Sequence, residues 1–190
     1  MTILVDTREH KGKNDHILNY FDAKGISWER RKIDYGDYSF YLPKNEELGI
    51  DKDYDFSNQI MVERKANLEE LSGNHTKERI RLENEFRGAP PNKILLIENA
   101  TYHDMVNGNY NTEYSPKAFW ASMFTMWHRY NIPTIFLEDK KYTGQYIYGY
   151  FRYYLYEVLK EADSQQSFSL TNGVNYDIVS SVSKGVGDGL

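Results

Sequence analysis

QIMVERKANLEEL, residues 59–71, places an acid, two bases and another acid where an apolar run turns polar: Glu63, Arg64, Lys65 and Glu69. Residues 59–63 read as a short buried strand that runs into a helix. Side chains on a strand alternate between faces. Glu63 and Lys65 therefore share one face if the strand reaches residue 65, and Arg64 points to the other. A carboxylate beside an ammonium on one sheet face is costly unless water, a metal or a phosphate shares the site. Taken alone, a Glu-Arg-Lys run is commonly no more than solvated charge. A second acidic strand changes its meaning.

That strand is DYSFYL, residues 37–42, preceded by Tyr35 and Gly36. Antiparallel pairing of 37–42 with 59–65 puts Asp37 opposite Glu63 and Ser39 opposite Met61, all on one face. Two carboxylates directly opposite repel each other. A divalent cation between them turns the repulsion into the reason for the arrangement, because magnesium prefers carboxylate and phosphate oxygens. Lys65, on the same face, is placed to orient an attacking water or a phosphate oxygen. Acid, acid and lysine form the layout of a metal-dependent phosphodiesterase.

Length and composition bound the reading. With 190 residues, 40% hydrophobic and 27% charged, the chain suits one globular domain with a substantial core. It has no cysteine, which excludes structural disulfides and thiolate zinc sites. No apolar run is long enough to cross a membrane and no signal-peptide pattern opens the chain, so a soluble, cytoplasmic protein is expected. The formal net charge of −5 argues mildly against a nucleic-acid partner. The acids gather in 46–55, however, and 64–93 carries Arg64, Lys65, Lys77, Arg79, Arg81, Arg87 and Lys93.

The remaining elements follow from periodicity. TILVD (2–6) is a continuous apolar run ending in an acid, as in a strand buried on both faces. Asp6 then sits at the strand's carboxyl end, where ligands gather in open α/β sheets, although Asp6, Arg8 and Glu9 alone also fit a charged turn. A helix is predicted over 15–24 with Ile17, Leu18 and Phe21 inward, closed by Gly25. A strand covers 26–33, and 43–58 is a long polar connection. Helical turns are expected over 67–72 and 76–87, with Thr76 as a cap and Ile80 and Phe86 as anchors. Another strand spans 93–98, and 100–114 reads as loop. Ser115-Pro116 starts a helix, 133–137 is a strand, and 143–162 is a long tyrosine-rich helix. The sum is an α/β fold, a central mixed sheet flanked by helices.

VDTRE (5–9), GDY (36–38), VERKANLEEL (62–71), Arg79 and ILLIE (94–98) together closely resemble the XPF-type structure-specific endonuclease domain. That domain, shared by Mus-type and Hef nucleases, belongs to the restriction-endonuclease-like PD-(D/E)XK superfamily. The resemblance spans about residues 3–160. It implies that Asp37 and Glu63 are the principal metal ligands, with Asp6 in reach, and that Lys65 is the catalytic lysine. Asp6 and Glu9 match the family's upstream acids and Glu69 its downstream acid. Arg8, Arg64 and Arg79 match positions that support the site or bind phosphate.

Three departures stand out: a longer spacing from Asp37 to Glu63, Glu for Asp at 69, and no tandem helix-hairpin-helix or helicase domain. The resemblance thus implies a truncated chain, or a small stand-alone phage- or bacterial-like form. A nuclease domain over 1–162 is expected, followed by a flexible tail over 163–190. Within that tail IVSSVSKGVGDGL is similar to the start of a helix-hairpin-helix.

The expected function is a magnesium-dependent DNA endonuclease, manganese substituting, that acts on branched, flap or fork DNA in repair and recombination. The alternative is a non-catalytic DNA-binding scaffold on the same fold. Aromatic residues around both carboxyl-terminal helices, 115–131 and 143–162, predict a homodimer through them.

Overall fold

Two apolar runs that read as buried strands are buried in the computed structural model, which describes residues 1–10, 12–76 and 78–165. The first is β1 (Thr2–Val5) and the second β6 (Asn92–Glu98), each apolar on both faces and covered on both. Between and after them run α1 (Asp15–Ala23), β2 (Trp28–Arg30), β3 (Tyr38–Leu42), β4 (Tyr54–Asp55), β5 (Ile60–Lys65), α2 (Leu68–Thr76), α3 (Arg79–Gly88), α4 (Tyr102–Asn107), α5 (Pro116–Tyr130), β7 (Thr134–Leu137) and α6 (Thr143–Gln165). The seven strands form one mixed sheet in the order β2-β1-β3-β5-β6-β7, with β4 added to β3. β1 and β3 pair antiparallel, as do β3 and β5, while β5, β6 and β7 run parallel. This is the mixed sheet with flanking helices that the sequence predicts.

Alternation along the strands supplies a core on each face. On one, Val5, Phe40, Val62 and Leu96 meet Ile17 and Phe21 of α1 and Ile147, Phe151 and Leu155 of α6. Phe40 stacks on Phe56 at 4.6 Å between centroids and tilts against Phe151 at 5.5 Å. Each such ring contributes roughly 1.5–3 kcal/mol by leaving water. On the other face, Met61, Leu95 and Ile97 meet Leu68 and Leu71 of α2, Leu82 and Phe86 of α3, and Phe119, Met123 and Met126 of α5.

Several local expectations meet different physics. The connection 43–58 contains a 3-10 turn at Glu46–Leu48 and the short β4, which extends the ladder of β3. Residues 100–114 are not all loop: α4 is closed at its start by a reciprocal cap between Thr101 and Asp104 and anchored by buried Met105. Thr76, expected to cap the helix over 76–87, is the last residue of α2, and the residue before α3 is Glu78. Ile80 is 79% exposed, and Leu82 and Phe86 are the buried pair of α3. The strand expected over 26–33 contracts to Trp28–Arg30. The start of α5 is as read, with the Ser115 hydroxyl accepting the Ala118 N–H. α6 continues past the expected boundary at 162 to Gln165. The expected tail features over 166–190 lie outside the described residues. Among the described residues no helix is long and apolar enough to cross a membrane.

Candidate active site

The turn before β3 depends on one glycine. Gly36 has φ +72°, and a Cβ there would stand 2.3 Å from Met61 Sδ and 3.0 Å from the Val62 carbonyl oxygen. Only a residue without a side chain allows the chain to pass this close to β5 in the left-handed region. The next residue, Asp37, donates its N–H to the Val62 oxygen at 2.9 Å, and Tyr38 pairs with Val62. Continuing that register sets Asp37 opposite Glu63, as read from the alternation. Gly36→Ala is expected to cost about 2–4 kcal/mol, the sum of a left-handed β-carbon and an overpacked contact. Urea denaturation would show it as a lower midpoint with an unchanged slope.

Glu63 and Lys65 emerge together on the face that carries α2, α3 and α5. Lys65 Nζ lies 2.7 Å from Glu63 Oε1. The second oxygen, Glu63 Oε2, is buried without a hydrogen-bond partner. Asp37 Oδ2 accepts the Arg64 main-chain N–H at 2.7 Å. Burial, followed by the charge of Glu63, pushes the Asp37 carboxyl well above the ordinary carboxylate range, against the pull of Lys65. Burial by itself would lower the Lys65 ammonium, but Glu63 and Asp37 outweigh it and hold Lys65 above the ordinary lysine range. In this arrangement Lys65 is a charged donor.

The other expected site residues fall into distinct places. Asp6 follows β1 beside Asp37, to whose carbonyl its N–H donates at 2.9 Å. Both of its oxygens are already engaged. Oδ1 accepts from Arg8 N and Nε at 2.6 and 2.9 Å, and Oδ2 from Arg8 Nη2 and Ile33 N at 2.9 and 3.1 Å. Burial opposes these bonds, yet they hold the Asp6 carboxyl below its usual range. Asp6 thus ties the end of β1 to the chain that follows β2. Arg8 remains 59% exposed at the rim.

Arg64 turns to the opposite face, where it is 5% exposed and paired with Glu98, so it is not a surface ligand for phosphate. Glu9 stands on that side too, its Oε2 at 3.7 Å from Arg64 Nη1. Burial raises the Glu9 carboxyl, with Arg64 opposing. Arg79 bonds Glu83 at 2.8 Å, and Glu83 also accepts from Tyr130 of α5 at 2.9 Å. Arg79 thereby braces α3 against α5.

Three acids near the site were not singled out by sequence reasoning. Glu69 accepts the Asn111 N–H, whereas Glu70 closes the start of α2 on Ala66 N at 2.9 Å. The charge of Glu70 acts on Lys65 and Glu9. Helical phase separates the two neighbours, sending Glu69 to Asn111 and Glu70 to Ala66. Glu85 of α3 is half-buried beside Phe86, and its carboxyl is raised by burial and then by Glu63, with Lys65 and Arg8 opposing. Its signal was its position three residues after Leu82, on the flank of the buried stripe. Glu98, quoted only as the end of an apolar run, is fully buried behind the site.

A hard cation fits the donors that converge. Glu63 offers an unpartnered carboxylate oxygen, and Asp37 suffers a repulsion that a cation would reverse. Among the described residues no three acids or histidines gather around one point. Two carboxylates suffice for magnesium, which keeps waters and substrate phosphate in its remaining positions.

A mixed sheet with helices on both faces, bearing an acid before one central strand and Glu-x-Lys at the end of the next, defines a restriction-endonuclease-like nuclease fold. The model of the ERCC4 domain matches residues 5–150, and the chain belongs to that family. Its fold is similar to that of XPF from Aeropyrum pernix, with a TM-score of 0.58 at 17% identity. That alignment covers 81% of this chain and 61% of the other, so this chain spans about three fifths of that one. XPF from Aeropyrum pernix in complex with DNA matches with a TM-score of 0.59 at 14% identity, over 100% of this chain and 99% of the other. No curated protein matches the sequence.

Proposed function

We propose that this ERCC4-family chain is a divalent-metal-dependent endonuclease that hydrolyses phosphodiester bonds in branched, flap or fork DNA during repair or recombination, inside the cell. The observation that carries the reading is the buried, unpartnered Glu63 Oε2 next to a repelled Asp37 and a fixed Lys65. Membership of the family supports a nuclease, and the similar XPF from Aeropyrum pernix was solved with DNA.

In this reading Asp37 and Glu63 would hold magnesium or manganese, which when bound would supply a water of lowered pKa and charge neutralisation at the scissile phosphate. Lys65, kept cationic by Glu63 and Asp37, donates to a phosphate oxygen or orients the water. Glu9 adds a negative charge within electrostatic reach of Asp37, Glu63 and Lys65 while facing Arg64. Arg8 offers an exposed guanidinium at the rim for an adjacent phosphate while bracing Asp6.

The test is incubation of purified chain with labelled linear, flap and fork DNAs. Cleavage of the branched substrates is expected with magnesium or manganese and not with calcium or a chelator. Binding of every DNA without cutting under all three metals would instead mark a non-catalytic scaffold.

The same reading includes a homodimer through 115–131 and 143–162. α5 and α6 lie on opposite faces of the sheet, and the edge strand β7 sends Phe136 to the core of α5 and Ile135 and Leu137 to that of α6. β7 itself is half-buried at every residue. Trp120 and Trp127 are 45% and 41% exposed on α5, with Phe124 between them, and Tyr153 of α6 is 56% exposed. An interface wrapping this edge would cover an apolar surface of a kind that monomers seldom leave in water. Light scattering at micromolar concentration is expected to give about twice 22.4 kDa; a mass of one chain would rule the pairing out.

A further inference from the structure

The proposed chemistry uses Asp37, Glu63 and Lys65 and leaves a buried charge network on the opposite face unexplained. Arg64 is its centre. Its Nη2 pairs with Glu98 Oε2 and donates to the Lys13 carbonyl at 3.2 Å, and its Nη1 faces Glu9. Glu98 is the last residue of β6, whose parallel ladder with β5 runs as far as Lys65 and Ile97. The other oxygen of Glu98 lies 2.6 Å from His16 Nε2 of α1. One carboxylate thus joins the ends of the two central strands to a helix from the start of the chain.

The main chain of Arg64 meanwhile serves the other side. Its N–H donates to Asp37 Oδ2, taking the place of a ladder bond where β3 has ended. Its neighbours in sequence are Glu63 and Lys65, whose side chains point away from Arg64's own. Any rotation of residue 64 therefore swings Glu63 and Lys65 and shifts the donor that orients Asp37. The Arg64 side chain can resist such rotation only through what grips it.

We infer that Glu98 is a positioning residue of the candidate active site, acting through Arg64 to set the orientation of Asp37, Glu63 and Lys65. The inference rests on the endonuclease reading for its effect on rate and on the geometry alone for its effect on the Arg64 amide. A misplacement of about 1 Å at a reacting group costs on the order of 10²-fold in rate. Replacing a buried ion pair by apolar side chains of similar size often leaves stability unchanged or improved. The double variant Arg64→Met/Glu98→Met therefore separates positioning from stability.

The double variant is compared with the whole wild-type chain in three measurements: single-turnover cleavage in magnesium, DNA affinity in calcium, and hydrogen exchange at the residue 64 amide. Expected are a cleavage rate lower by about 10²-fold, affinity within about twofold, and faster exchange at that amide with the melting temperature retained. Wild-type rate and wild-type protection in the folded variant would overturn the inference. So would a loss of rate with unchanged protection, because the effect would then not pass through residue 64. If the double variant does not fold, Glu98→Gln, which keeps an oxygen for Arg64 but not the charge, decides by the same criteria. Should the wild-type chain cut no DNA, the endonuclease reading fails separately, and amide exchange alone decides the positioning role.

Discussion

Asp37→Asn is expected to lower magnesium-dependent cleavage by about 10³-fold and, at neutral pH, to raise the melting temperature. The rate follows from losing one of two carboxylates that would hold the cation, whose charge stabilisation is worth several kcal/mol in the transition state. The stability follows from the raised Asp37 carboxyl, caused by burial and by Glu63. A carboxyl whose folded-state pKa lies above the unfolded value binds its proton more readily when folded. Stability then falls as pH rises through that window, and the full penalty stands above it. Asparagine carries no charge and keeps an oxygen to accept the Arg64 N–H. The gain, a few degrees for about 1 kcal/mol in a chain of this size, is largest at neutral and alkaline pH. It closes as pH falls below about 4, where Asp37 becomes protonated in the unfolded state as well. A variant with wild-type cleavage would remove Asp37 from the chemistry. A variant that melts lower at pH 7 would remove the repulsion.

Lys65→Ala should lose activity with the opposite effect on stability. Removing a donor that stays cationic beside the scissile phosphate is expected to cost about 10²–10³-fold in rate. The fold loses too, because Lys65 is 8% exposed and is the partner of Glu63 Oε1. Without it Asp37 and Glu63 face each other with their ammonium partner gone, and Arg8 acts on Asp37 only from the rim. Breaking a buried pair from one side costs roughly 3–5 kcal/mol. The deficit is greatest near neutral pH and shrinks as acid protonates Asp37. The ammonium, raised by Glu63 and Asp37, contributes below its unfolded pKa and loses its contribution only as pH passes the still higher folded value. Urea titrations at pH 5 and pH 7.5 test the sign, and magnesium should restore part of the stability at pH 7.5 if the two acids bind it. A larger loss at pH 5 than at pH 7.5 would mean that the carboxylates do not repel.

These opposite responses are coupled to strand register. Asp37 faces Glu63, with Lys65 beside it, because alternation has a period of two and a slip of one residue would send all three to the other face. DYSFYL and QIMVERK contain that information locally, and the Tyr38–Val62 pairing carries it out. The same is true of Ser115-Pro116, where cap and proline act within one turn. Local reading fails where few apolar residues define a face. Ile80 is the first apolar residue of a polar helix, but Leu82 and Phe86 set its phase and leave Ile80 in water. Glu69 and Glu70 are distinguished by a rotation of about 100°, the step per residue of a helix.

The sequence by itself determined which face of β5 carries Glu63 and Lys65, that Asp37 stands opposite, and that the sheet is mixed with helices around it. Each of those follows from neighbours along a strand or one turn of helix. Only the tertiary structure decided that both oxygens of Asp6 are consumed by Arg8 and Ile33, that Glu85 approaches the site on α3, and that Arg64 is gripped from behind. The Arg64–Glu98 contact joins residues 34 apart in the chain, and the His16–Glu98 contact residues 82 apart. Such contacts are products of loop closure and packing, to which no periodicity in the intervening chain is bound. A buried charge must find its partner wherever the fold brings one, and the partner's distance along the chain is not written near either residue.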